Sequence, residues 1–186
     1  MHQSKALVLF SFLSTASCQY VLTDDFSGAS FFSNFDFWTA GDPTEGWVDY
    51  VDYPSAVSKG LINPDTLPPT WGVDNTTVLD PANPAGRASV RLTSKASWTH
   101  GLFIADIAHM PGSICGIWPA FWTLGSGLWP GNGEIDIIEG TNNVTDNLAS
   151  MHTADNCTVA GSGETGLLQT DNCAVRLFRV GFGNHS

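Results

Sequence analysis

Short runs of alternating apolar and polar residues, broken by Gly, Pro, Asn and Asp, recur along most of the chain. The runs at 20–25, 30–37, 47–53, 88–93, 101–107, 116–124, 134–139 and 148–153 are rich in Val, Ile, Phe, Trp and Tyr and predict strands. Strands at this spacing, with turn residues between them, predict an all-β sandwich or barrel. No stretch sustains a helical period with caps at its ends. The Pro-rich stretch 63–86 reads as an irregular surface excursion, and loops of that length in compact domains are often functional. No internal repeat, low-complexity block or linker divides the 186 residues, which suit one domain.

The first residues break the alternating pattern. Met1 to Lys5 is weakly basic, Ala6 to Leu13 is an apolar run too short to span a bilayer, and Ser14 to Cys18 is a small-residue stretch. Together they predict a secretory signal peptide over 1–18, cleaved near Ala16 or Cys18, and a secreted, extracellular protein. Sequons at Asn75, Asn143, Asn156 and Asn184 fit that compartment. Secretion permits disulfides. Beyond Cys18 the cysteines are Cys115, Cys157 and Cys173; Cys157 and Cys173 are spaced to close a modest loop, which leaves Cys115 over.

Charge narrows the partners. Lys and Arg number 7 against 18 Asp and Glu, a formal net charge of -11. Such a surface repels phosphate backbones and anionic lipid heads, so nucleic acid and membranes are excluded as partners, and a neutral polysaccharide is compatible. No Cys-x-x-Cys or His-x-x-x-His spacing occurs, so neither metal nor cofactor is expected.

The candidate chemistry lies in Gly133-Glu134-Ile135-Asp136-Ile137-Ile138-Glu139-Gly140, which holds two of only four Glu. Residues two apart on a strand share a face, so Glu134 and Asp136 look out while Ile135 and Ile137 look into the core. Strict alternation turns Glu139 inward, where an unpaired carboxylate costs several kcal/mol. A one-residue β-bulge near Ile137-Ile138 returns it to the outer face. The expectation is three acids in a row on one exposed face. Crowding them opposes full ionisation, so at least one pKa rises. That suits retaining glycoside hydrolysis, which needs an ionised nucleophile and a protonated acid about 5–5.5 Å apart. Glu134 is then the nucleophile, Glu139 the acid/base and Asp136 the group that keeps them in opposite states. Trp118, Trp122 and Trp129 lie just upstream. Trp122 and Trp129 are expected at a cleft, where aromatic faces lie against the C–H faces of sugars, and Trp118 in the core. Gly131-Asn132-Gly133 supplies a turn that aims Glu134 into the cleft. His152 follows within Met151-His152-Thr153, with a core-satisfied role and a sugar-contacting role equally open.

At these residues the sequence resembles the fungal laminarinase-like members of glycoside hydrolase family 16. The matching words are Gly133 to Gly140, His100-Gly101-Leu102-Phe103-Ile104-Ala105-Asp106, Gly116-Ile117-Trp118-Pro119-Ala120-Phe121-Trp122 and Met151-His152-Thr153. The openings Asp24-Asp25-Phe26-Ser27-Gly28 and Trp47-Val48-Asp49-Tyr50-Val51-Asp52 are similar too. The resemblance implies a concanavalin-like β-jelly-roll sandwich over 19–175, with a sugar groove on its concave face. It implies endo-hydrolysis of β-1,3 or mixed β-1,3/1,4-glucan with retention, by a monomer. It carries the catalytic roles to Glu134, Asp136 and Glu139, and substrate contacts to Trp122, Trp129, His152 and Arg91. The stretch 176–186 departs from the family, and is read as the atypical tail of a truncated gene product, a sandwich incomplete at its C-terminus. Two other functions stay open: a glucan-binding module that no longer cuts, and a transglycosylase in which a sugar replaces water.

Overall fold

The computed structural model describes residues 20–82, 85–112, 114–163 and 165–174; the expected leader over 1–18 and the whole atypical tail over 176–186, with its Asn184 sequon, lie outside them. The chain divides into two compact units, Met1–Ile104 and Ala105–Ser186.

In the first unit, four short strands form two pairs. Strand β1 (Phe35–Phe37) runs antiparallel to β4 (Leu92–Ser94), and β2 (Val48–Tyr50) runs parallel to β3 (Arg87–Ser89). A 3₁₀ turn, Phe31–Asn34, leads into β1. The parallel pair is joined through one short helix, α1 (Tyr53–Ser58), followed by the Pro-rich excursion. Six residues are too few to show a helical period, which is why α1 is absent from the sequence expectation. Its start was nonetheless written in the chain: the Asp52 carboxylate accepts the Ser55 N–H at 2.9 Å, and a proline occupies the first turn. Gly86 permits the close approach that pairs β3 with β2. Its φ is +75°, and a Cβ there would stand 2.6 Å from Val48 N. Phe32, Val51, Ala56, Leu61, Ile62 and Ala88 form the buried core of this unit, with Phe31, Phe37, Val90 and Leu92 packed against it.

The second unit is built on an antiparallel sheet ordered β5–β6–β7, from Ala120–Leu124, Glu134–Glu139 and Ser150–His152. Runs 20–25 and 101–107, expected as strands, carry no regular structure. Both read apolar but make no ladder, and Leu102, Phe103 and Ile104 are exposed. Among the described residues of this unit, only Asp136 and Cys173 are buried. No described helix is long and apolar enough to cross a membrane.

Candidate active site

The central strand β6 carries the bulge that its sequence requires. Glu134, Ile135 and Asp136 pair with Leu124, Thr123 and Trp122, but the next pairs are Ile138 with Phe121 and Glu139 with Ala120. Ile137 is therefore the extra residue, and Glu139 rejoins the face of Glu134 and Asp136. On the other side, β7 sets His152 opposite Glu134 and Ser150 opposite Asp136. Cross-strand partners share a face, so one face gathers the three acids, Trp122 and His152. Gly133, at φ +82°, turns the chain into β6, and its carbonyl accepts the Gly125 N–H at 2.8 Å.

The ladder between β6 and β7 ends at Asp136 and Ser150, and just beyond it Asn147 partners two backbone groups of β6. Its Nδ2 donates to the Ile137 carbonyl at 3.0 Å, and its Oδ1 accepts the Glu139 N–H at 3.0 Å. One amide side chain thus replaces a missing stretch of ladder. Asn147 is a residue that sequence reasoning missed. It lies in an Asn- and Thr-rich turn whose other members look the same.

The sidedness differs from expectation. The acids share a face, but Asp136 is only 2% exposed, while Ile135 and Ile137 are 47% and 39% exposed. Asp136 occupies the middle of the face, with Glu134 and Glu139 beside it along the strand and Trp122 and Ser150 across it, and these neighbours shut out water. Burial first, then the charges of Glu139 and Glu134, raise its pKa from 3.8 to about 6, against the pull of His152. The pKa rise expected from crowding thus falls on Asp136.

Each flanking glutamate is held by an indole. Trp129 Nε1 donates to Glu134 Oε2 at 2.6 Å, and Trp118 Nε1 donates to Glu139 Oε1 at 2.7 Å. Trp129 is a site residue as expected, and its ring centroid lies 6.1 Å from that of His152. Trp118 corrects the expectation of a core residue: it is 56% exposed and bonded to a carboxylate. The signal was available, because Trp118, Ala120 and Trp122 alternate with period two and Ala120 faces Glu139. His152 Nε2 approaches Asp136 Oδ2 to 3.1 Å, yet Oδ2 accepts no hydrogen bond of good geometry. Oxygen and nitrogen atoms of Glu134, Asp136 and His152 lie within 4.8 Å of one another, a spacing that could hold a cation.

Arg91 belongs to the first unit. Its guanidinium carbon sits 4.9 Å from the Trp38 ring centroid and 5.8 Å from that of Tyr50. Cys115, Cys157 and Cys173 are free thiols, and Cys157 and Cys173 face each other, with the Cys173 N–H donating to the Cys157 carbonyl at 3.0 Å.

A family model described as "XgeA-like, catalytic GH16 domain" matches residues 35–177. A probable endo-1,3(4)-beta-glucanase of Aspergillus clavatus is 48% identical over 159 residues, which cover 84% of this chain and 25% of that protein. An endo-1,3(4)-beta-glucanase of Arthroderma benhamiae is 42% identical over 177 residues, covering 95% of this chain and 38% of its own. Among solved structures, an elongating GH family 16 beta-1,3-glucosyltransferase matches with a TM-score of 0.75 and 46% identity, over 82% of this chain and 52% of that one. Laminarinase 16A from Phanerochaete chrysosporium, solved with 6-O-glucosyl-laminaritriose in donor and acceptor sites, matches with a TM-score of 0.77 and 39% identity, over 82% and 51%. The chain thus spans about half the length of these solved relatives and less of the curated ones. The fold class is the all-β jelly roll of these neighbours.

Proposed function

The chain belongs to glycoside hydrolase family 16, and on that premise we propose that it is a secreted endo-hydrolase of β-1,3 or mixed β-1,3/1,4-glucan, working by retention. The observation that carries this reading is the single face of β6 on which the bulge assembles Glu134, Asp136 and Glu139, with an indole N–H on each glutamate. The homologues named endo-1,3(4)-beta-glucanase support the substrate class.

In the proposed mechanism the Glu134 carboxylate attacks the anomeric carbon while Glu139 gives a proton to the departing glycosidic oxygen. The bond to the leaving sugar breaks and a glycosyl ester forms on Glu134. Glu139, now ionised, takes a proton from water, and the resulting oxygen displaces Glu134 from the same face as the original bond. Trp129 and Trp118 fix the rotation of the two carboxylates. Below about pH 6 Asp136 carries a proton, which it shares with Glu134, so that no third anion is crowded beside the two glutamates. Trp122, Trp129 and His152 are proposed to contact sugar rings next to the acids, and Arg91 is proposed as a substrate contact on the resemblance alone. Secretion rests on the leader over 1–18, and the sequons at Asn75, Asn143 and Asn156 are exposed, as glycan acceptors must be.

The test is expression of the full sequence, recovery from the medium, and incubation with laminarin and lichenan. Reducing ends should rise with both substrates, and Glu134→Gln and Glu139→Gln should lower the rate by about 10²–10⁴-fold or more. Proton NMR of the first product should show the β anomer; an α anomer at first turnover would exclude retention. A second reading, transfer to a sugar acceptor, draws support from the solved neighbour described as an elongating beta-1,3-glucosyltransferase. Products longer than a laminari-oligosaccharide substrate, seen by mass spectrometry, select that reading.

A further inference from the structure

We propose that Glu134, Asp136 and His152 form a binding site for a divalent transition-metal ion, with Cu²⁺ and Zn²⁺ the best-matched ions, and that a bound ion excludes glucan. The first clause stands on the geometry alone; the second rests on the function proposed above.

Two observations point to a ligand here independently. The first is the spacing: two carboxylates two residues apart on β6 and an imidazole set opposite Glu134 on β7, with donor atoms all within 4.8 Å of one another. Metal–oxygen and metal–nitrogen bonds of about 2.0–2.2 Å require the donors to close slightly around a shared centre. His152 lies at the end of a three-residue strand with a third of its side chain exposed, so its ring has room to pivot. The second observation is Asp136 Oδ2, buried in a side chain only 2% exposed, aimed at His152 Nε2 from 3.1 Å, and accepting no hydrogen bond. A buried acceptor without a donor is unfavourable, and a cation on that oxygen relieves it.

The donor set chooses the ion. One imidazole and two carboxylates suit Cu²⁺ first and Zn²⁺ next in the usual order of divalent affinities. Ca²⁺ wants six to eight oxygens, and Mg²⁺ a near-ideal octahedron of them, so neither matches three donors that include nitrogen. Glu139 stands on the same face without joining the trio, and its charge favours any cation placed there. The same negative potential raises the Asp136 pKa. An ion seated on Glu134 would draw in the electron pair that attacks the anomeric carbon and would occupy the space of the reacting sugar. Sequence spacing hides the site, because its ligands are a Glu-x-Asp pair and a histidine on the neighbouring strand.

The full chain, stripped with chelator, is titrated calorimetrically with CuCl₂ and separately with ZnCl₂. One-to-one binding is expected for each, and Asp136→Asn and His152→Ala should each weaken it at least about 10-fold. Glu139→Gln keeps all three ligands and removes only a neighbouring charge, so its binding should weaken less than that of Asp136→Asn or His152→Ala, even though it cannot turn over glucan. Pulsed EPR of the Cu²⁺ form should show the remote nitrogen of one coordinated imidazole, lost in His152→Ala. Asp136→Asn is nearly isosteric, so near-UV circular dichroism should find it folded, and it decides the matter if His152→Ala does not fold. Wild type without binding tighter than about 1 mM, or a folded Asp136→Asn with unchanged affinity, overturns the site. With laminarin, either ion should raise apparent KM at constant kcat. Metal binding that leaves KM unmoved overturns the second clause only, and a chain without glucanase activity leaves the binding measurements as decisive as before.

Discussion

Replacing Asp136 by Asn removes one charge and almost no volume, so it isolates the electrostatics at the centre of the acid face. In the folded chain the Asp136 pKa rises from 3.8 to about 6, chiefly because the carboxyl is buried and then because Glu139 and Glu134 stand beside it. A raised pKa means that the folded chain holds this proton more tightly than the unfolded one. The contribution to stability is fully present below pH 3.8 and is lost as pH rises through about 6. The full span corresponds to roughly 3 kcal/mol, and screening by water at the half-exposed neighbours leaves about 1–2 kcal/mol. Asn cannot ionise and so keeps the contribution at every pH. Asp136→Asn should therefore gain about 1–2 kcal/mol on wild type between pH 3.5 and 7.5, whatever constant offset the amide itself introduces. Hydrogen exchange at the β6 amides, measured at both pH values, reads the opening free energy of the strand itself. Laminarin turnover should fall about 10²-fold, because the shared proton is gone. A stability difference between variant and wild type that is the same at both pH values would refute the assignment of the raised pKa to burial and neighbouring charge.

Four further substitutions test the supports of the site and of α1. Asn147→Ala leaves the Ile137 carbonyl and the Glu139 N–H without their partner, so it should cost about 1–3 kcal/mol and lower kcat more than it raises KM; urea unfolding with kinetics checks both, and an unchanged unfolding midpoint would count against the role of Asn147. Trp118→Phe and Trp129→Phe keep an aromatic ring and delete one N–H each, and each should reduce kcat by about 10-fold through the loosened glutamate, with KM responding more at Trp129, where sugar is expected. Asp52→Ala removes the cap of α1 and should cost about 1 kcal/mol in thermal unfolding without touching kcat; a loss of activity at full folding would show that the cap does more than hold the helix.

The β6 segment was legible because its chemistry and its geometry disagree unless the strand is bulged. Three acids at positions one, three and six of a strand cannot share a face by alternation, and the apolar residues between them forbid abandoning the strand. The bulge at Ile137 resolves this, and the bounds Glu134–Glu139 appear as read. What could not be read is which side of the sheet is covered. Alternation separates two faces without saying which one meets water, and burial of the acid face depends on Trp122, Ser150 and His152, which arrive from other strands. The same limit explains α1, set by a cap and a proline over too few residues for a period, and Asn147, whose role exists only once β7 has paired with β6 and the ladder between them has ended.

The bulge also explains why one strand can hold three acids at all. An unbroken strand would carry Glu134, Asp136 and residue 138 at even intervals, with all three side chains equally close to water and to one another. Inserting Ile137 lets Glu139 return to the face one residue later, which spreads the outer acids apart along the strand and leaves Asp136 as the member closed off from water. Proton affinity then divides by position: the sheltered middle group takes the rise to about 6, and the flanking glutamates reach indole donors from the loop before β6 and from the segment before β5. Glu134 is steered by Trp129 and Glu139 by Trp118, each from outside the sheet; deleting Ile137 gives Glu-Ile-Asp-Ile-Glu, an even alternation that keeps Glu139 on the acid face but draws it one residue, about 3.4 Å, nearer Asp136, so Glu139 should lose Trp118 while Glu134 keeps Trp129. Activity lost together with the Trp118 contact, while the Trp129 contact persists in a crystal structure of the deletion variant, is the outcome this division requires; a deletion variant that turns over laminarin normally would contradict it.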